Sequence, residues 1–169
     1  MTQTELSGYT AACRKLVHET HTLLLSTLSA QSFPEISYAP FVQDARGCLY
    51  IYVSELADHC RSLQLNPECS VLLIRDESAS SNLFARERLM FKCEVSQVAP
   101  AFENYLSVLD QLEQRQGQTV QLLRSLPDFH LFALKPVSGR YIVGFGKAFE
   151  VNPLDFSLEH IDADRLKRV

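Results

Sequence analysis

A chain of 169 residues with 46% hydrophobic and 21% charged residues is the size and composition of one globular domain with a real core. Its formal charge of −4 offers no basic field for nucleic acid. No apolar run approaches the roughly 20 residues that span a bilayer, and Arg14, Lys15 and His18 interrupt any signal-like apolar centre near the start, so the cytoplasm is the expected compartment.

Leu6, Tyr9, Cys13, Leu16 and Val17 form a helical stripe over residues 4–19. His18 and His21 flank its end, where threonines already turn the chain towards strand, and a metal role for the pair is not expected. Residues 21–30 read as a β run, residues 31–35 as a turn, and residues 36–43 as a second strand with Pro40 as an edge or bulge signal.

The clearest unit is residues 47–67. Leu49, Ile51 and Val53 alternate with Tyr50 and Tyr52, the period of a strand. Ser54 predicts a helix N-cap, with Glu55 and Asp58 where the helix dipole favours acids. Leu56, Ala57, Cys60 and Leu63 then share a helical face, with His59 on its margin, and Pro67 stops the helix at Asn66.

Residues 69–76 are a nearly continuous apolar strand, and 77–82 a serine-rich loop. Leu89, Phe91, Cys93 and Val95 alternate with Met90, Lys92, Glu94 and Ser96, a strand with one wet face. Pro100 opens a helix with Phe102, Tyr105, Leu106, Leu109 and Leu112 on its stripe, and Gly117 ends it. A shorter helix over 119–126 stops at Pro127. Residues 128–134 and 141–151 read as two strands joined by a hairpin turn within 135–140.

This pattern predicts a mainly β fold with peripheral α-helices, a six- to seven-stranded antiparallel split barrel over residues 1–151. A β-sandwich is the competing arrangement. Residues 152–169 form a polar tail ending in Arg165, Lys167 and Arg168. The five cysteines include no CxxC and read as small buried hydrophobes in a reducing compartment.

Five phrases stand in register: Tyr38-Ala-Pro-Phe41, Ser54-Glu-Leu-Ala-Asp-His59, Phe84-Ala-Arg-Glu-Arg88, Asp128-Phe-His-Leu-Phe132 and Gly144-Phe-Gly-Lys-Ala148. Together, over residues 5–151, they resemble the haem-utilisation proteins of the HugZ/HutZ type. These sit within the pyridoxamine-5′-phosphate-oxidase-like, FMN-binding split-barrel group. The resemblance implies a homodimer with haem near its interface and the iron held by a histidine of the C-terminal tail. It implies a catalytic role for Asp128, acting from the partner subunit, and cofactor contacts from His59 and Arg88. The family's tail histidine falls near Arg165, which cannot ligate iron. His160 is then the re-registered metal ligand, or the ligand has been lost.

Each residue also has a plainer reading. His59 suits a boundary histidine bonded to the sheet, and Asp128 a turn residue. Arg86 and Arg88 suit edge protection, or a clamp for a propionate or a flavin phosphate. His130 suits a core or interface position, His160 an exposed tail, and Gly144-Phe-Gly146 close strand packing or a bulge.

Three functions compete. The first is haem binding for iron acquisition, with haem degradation by an external electron donor in some members. The second is an FMN-dependent oxidoreductase, disfavoured because Glu55 and Asp58 would repel a phosphate beside the lone cation Arg61. The third is a non-catalytic split barrel that carries a small molecule. Neither nucleic acid nor membrane is an expected partner.

Overall fold

The structure is a computed structural model that describes residues 1–162. Arg165, Lys167 and Arg168 lie outside the described residues. Helix α1 (Gln3–Glu19) starts at a capping box: Thr2 Oγ1 accepts from the Glu5 N–H, and the Glu5 carboxylate accepts from the Thr2 N–H at 2.7 Å. Its stripe buries Cys13, Leu16 and Val17.

Strands β1 (Thr22–Leu28), β2 (Pro34–Gln43), β3 (Leu49–Ser54), β4 (Glu68–Ile74), β5 (Arg88–Val98) and β6 (Phe129–Gly144) pair in the order β3-β2-β1-β4-β5-β6. A β3–β6 pairing closes them into a six-stranded antiparallel barrel. Closure removes the open edges that would otherwise recruit other strands. Strands β7 (Lys147–Val151) and β8 (Leu158–His160) extend the sheet from β6. Phe41, Phe91, Phe132, Tyr141 and Phe149 fill the interior, and Phe156 and Leu158 bring part of the polar stretch after residue 152 into the same core.

Helix α2 (Asp58–Leu65) packs Cys60 and Leu63 inward where β3 ends and β4 begins. Helix α3 (Tyr105–Gln116) and the short α4 (Thr119–Leu123) cover Val42, Tyr50 and Leu131 with Val108, Leu109, Leu112 and Val120.

Three local expectations need correction. Helix α2 starts at Asp58, not beside Ser54, because Ser54 Oγ accepts from the Leu56 N–H and holds residues 54–57 in a turn. Leu56 is consequently 92% exposed rather than on the buried face. Helix α3 begins at Tyr105, after a turn following Pro100, which leaves Phe102 and Leu106 exposed.

The third correction concerns the expected hairpin at 135–140, which is the middle of one 16-residue strand, β6. Pro136 fits there because it stands opposite Cys93, where the β5–β6 register shifts between Lys92 and Cys93. Gly139 answers a close approach: a Cβ there would lie 2.7 Å from the Phe91 ring. The reversal comes at Phe145-Gly146, where Gly146 has φ of 66°, beside a register shift between Ile142 and Gly144.

Candidate functional site

The outward residues of the barrel wall form two rows fixed by strand register. One row runs Tyr38, Leu24, Leu72, Met90, Arg140, Glu150 and Glu159 across β2, β1, β4, β5, β6, β7 and β8. The next runs Ile36, Ser26, Ser70, Lys92 and Ser138. These strands curve around an open groove of about 1040 Å³. Its floor is apolar through Leu24, Leu72 and Met90, with Ile36 and Val137 at its margins. Lys92 and Arg140 bring two cations into it, and Glu150 and Glu159 form its acidic side.

Arg88 continues this surface. It is two residues from Met90 on the same outward face of β5, roughly 7 Å along the strand. Its guanidinium donates to the Arg86 carbonyl at 2.8 Å. Arg86 is itself committed to Glu77 at 3.1 Å, so of the two candidate clamp arginines Arg88 is the one on the groove side.

His160 sits one residue beyond Glu159, but faces the other way. Its Nε2 donates to the Gly146 carbonyl at 2.9 Å, and its ring meets the buried Phe149 edge-on at 5.5 Å between centroids.

Asp128 lies at the far end of the β3–β6 seam, whereas His59 on α2 packs against β2, behind the strand that carries Ile36 and Tyr38. Ser54 Oγ donates to Asp128 Oδ2 at 2.5 Å, while the Glu55 N–H donates to the Asp128 carbonyl at 2.8 Å. His130, next along, meets Glu55 through Nε2 at 2.5 Å and the Gln97 side chain through Nδ1 at 3.1 Å. His59 Nδ1 is 2.8 Å from Ser37 Oγ, and its Nε2 is enclosed with no hydrogen-bond partner. Burial pushes its pKa down against the opposing pull of Asp58 and Glu35, which favours the neutral ring.

The four predicted site residues therefore do not form one cluster. Arg88 pairs with Ile142, whose other neighbour Ala148 accepts from the Ile161 N–H just past His160. Asp128 precedes Phe129, about 40 Å away along the contour of β6. One protomer alone does not bring Asp128 to the groove. Among the described residues, no three His, Cys, Asp or Glu side chains gather as a metal site, and no helix is long and apolar enough to cross a membrane.

Sequence reasoning missed Lys92, Arg140 and Met90 as site residues. The wet face of β5 was visible as an alternation, but only the β5–β6 register places Arg140 beside Met90.

The sequence profile of the pyridoxamine 5′-phosphate oxidase family matches residues 9–143. The chain is 41% identical over 134 residues to a Vibrio cholerae protein named heme oxygenase HutZ, covering 79% of this chain and 76% of that one. A crystal structure of Vibrio cholerae HutZ, described as a heme storage protein, superposes with a TM-score of 0.73 at 38% identity, over 79% of this chain and 93% of that one. The crystal structure of Campylobacter jejuni ChuZ gives a TM-score of 0.84 at 28% identity, over 94% of this chain and 64% of that one.

Proposed function

The chain belongs to the pyridoxamine 5′-phosphate oxidase family, and on that premise we propose that it is a haem-utilisation protein that binds haem in its outer groove, at a homodimer interface. The observation that carries this reading is the groove itself: an apolar floor bordered by cations, on a chain 41% identical to a protein named a heme oxygenase. A porphyrin is a flat apolar plate with two carboxylates at one edge. Leu24, Leu72 and Met90 fit the plate, and Lys92, Arg140 and Arg88 supply charge for the propionates.

The dimer follows from what the groove leaves uncovered. Ile36 is 78% and Tyr38 65% exposed, beside Leu24 on the neighbouring strand. A contiguous apolar patch of this kind calls for a cover, and a second subunit laid against it can bring its Asp128 and His59 towards the groove. His160 is the proposed iron ligand, and ligation requires its ring to leave the Gly146 carbonyl and the Phe149 edge and turn to the groove face of β8. Bound haem would supply the redox chemistry; Asp128, held by Ser54, would orient a ligand or water from the partner side. Turnover draws electrons from an external donor. The five free thiols fit a reducing cytoplasm.

A second reading has an observation of its own: the same three cations suit the phosphate of FMN, the ligand expected of the wider family. Parallel titrations with haemin and FMN, followed by absorbance, separate the two. A saturable Soret shift at one haem per subunit is expected. Saturation by FMN alone would replace the haem reading, and no saturation by either ligand would overturn both. Addition of a reductant to the haem complex then separates degradation, seen as Soret bleaching, from carriage.

A further inference from the structure

Cys69 on β4 and Cys93 on β5 are direct register partners, both free, 7% and 3% exposed. The phase of the ladder around them is fixed by two bonds, from the Val95 N–H to the Pro67 carbonyl and from the Arg75 N–H to the Glu87 carbonyl. Counting by two from either makes 69 and 93 a hydrogen-bonded pair, whose Cα atoms stand about 5.5 Å apart. That lies inside the ~4.4–6.8 Å a disulfide spans. The thiols also sense each other: Cys69, with burial second, pushes the Cys93 thiol up. The adjacent pair in the ladder is Ser70 and Lys92, which line the groove on the opposite face.

We propose that Cys69 and Cys93 are a modification site, closed by hydrogen peroxide into a reversible cross-strand disulfide directly beneath Ser70 and Lys92 of the groove. Cys69, the more exposed of the two, attacks the peroxide first. Its sulfur gains one oxygen to become a sulfenic acid, and one water leaves. The Cys93 sulfur then attacks that sulfur, the S–S bond forms, and the second water leaves. Two thiols lose two protons and two electrons, and peroxide is reduced to two waters. Burial makes the step slow.

Hydrogen-bonded pairs hold Cβ atoms near 5.5 Å, wider than the ~3.5–4.5 Å the bond prefers. Closure therefore draws β4 and β5 together under strain, and a strained disulfide is readily reduced. That movement is transmitted to the groove through the two residues that follow the cysteines in register. None of this rests on the haem reading, and ligand-free protein tests it.

The full chain, without ligand, is treated with hydrogen peroxide, alkylated and digested under non-reducing conditions for mass mapping. The expected result is loss of two of the five free thiols, a linked Cys69–Cys93 peptide pair, and recovery with dithiothreitol. Cys93→Ser should stop at an oxidised Cys69 that a sulfenic-acid trap captures, while Cys69→Ser should give no linked product. Five free thiols after treatment, or a bridge to any other cysteine, overturns the site. Mapping of the unmutated chain decides this even where a variant fails to fold. Labelling of Lys92 by an amine reagent reads the groove directly: an altered rate after oxidation is expected, and an unchanged rate overturns the coupling.

Discussion

Ser54 and Asp128, 74 residues apart in sequence, share a hydrogen bond of 2.5 Å that ties the end of β3 to the residue before β6. The serine serves two partners, because it also accepts from the Leu56 N–H at 3.1 Å. One hydroxyl thus delays the start of α2, closes the β3–β6 seam and fixes the rotamer of the carboxylate proposed to act on the partner's groove. Ser54→Ala and Asp128→Ala should each cost about 1–2 kcal/mol in urea unfolding, with a coupling of about 1 kcal/mol in the double-mutant cycle. Additive losses would mean that the bond does not operate in solution.

His59 makes a pH prediction. Burial lowers its folded pKa below the ordinary 6.5, so the unfolded chain binds more protons in the window between the two values. Stability should be fully present above pH 6.5 and fall as pH drops through that value towards the lowered folded pKa. Asp58 on its own helix and Glu35 on β2 oppose the shift and limit its size. His59→Gln, which can still bond Ser37, should flatten this part of the profile relative to wild type. The measurement is thermal unfolding from pH 5 to 8, and an identical slope in both proteins would refute the assignment.

The period-two strands were legible because their faces differ: β3 alternates buried aliphatic residues with tyrosines, and β5 alternates a buried apolar row with a more polar, less buried one. Strand β6 was not legible as one element. Pro136 and Gly139 carry the local signals of a turn, and only their neighbours across the sheet, Cys93 at a register shift and the Phe91 ring, give them another purpose. The groove was hidden for a related reason. Leu24, Leu72 and Met90 come from three strands, and a residue's own sequence neighbours do not report what lies beside it on the next strand. His59, Arg88 and Asp128 were picked out by phrase rather than by geometry, and the fold separates them.

The groove cations give a prediction about ligand affinity. Lys92→Glu and Arg140→Glu should each weaken haemin binding by about tenfold or more, near 1.4 kcal/mol per lost charge contact. Lys135→Glu, whose partner is Glu94 at 3.5 Å and which does not line the groove, is the control for net charge. Equal effects at all three positions would point to a non-specific field rather than a site.

The exposed row on β1 and β2 predicts the assembly. Ile36→Asp places a charge among Leu24, Tyr38 and Leu28 on the outer face without touching the core. Sedimentation at micromolar concentration should show a dimer for the wild type and a monomer for the variant, with little change in unfolding midpoint of the monomer itself. A monomeric wild type would remove the route by which Asp128 reaches the groove.

His160 is the residue on which the proposed iron ligation is tested. In the structure its Nε2 bond and its edge contact with Phe149 fasten β8 to the turn at Gly146. His160→Ala should therefore cost about 1 kcal/mol of stability whatever its role in binding. If His160 also ligates iron, the variant should keep weak haemin affinity through the apolar floor and the cations, while its Soret maximum moves to that of a complex lacking the imidazole. External imidazole should then restore the wild-type spectrum. An unchanged Soret band in the variant would instead leave His160 as the fastening of β8 and pass the ligand role to another histidine, with His59 of the partner subunit next to be tested by the same rescue.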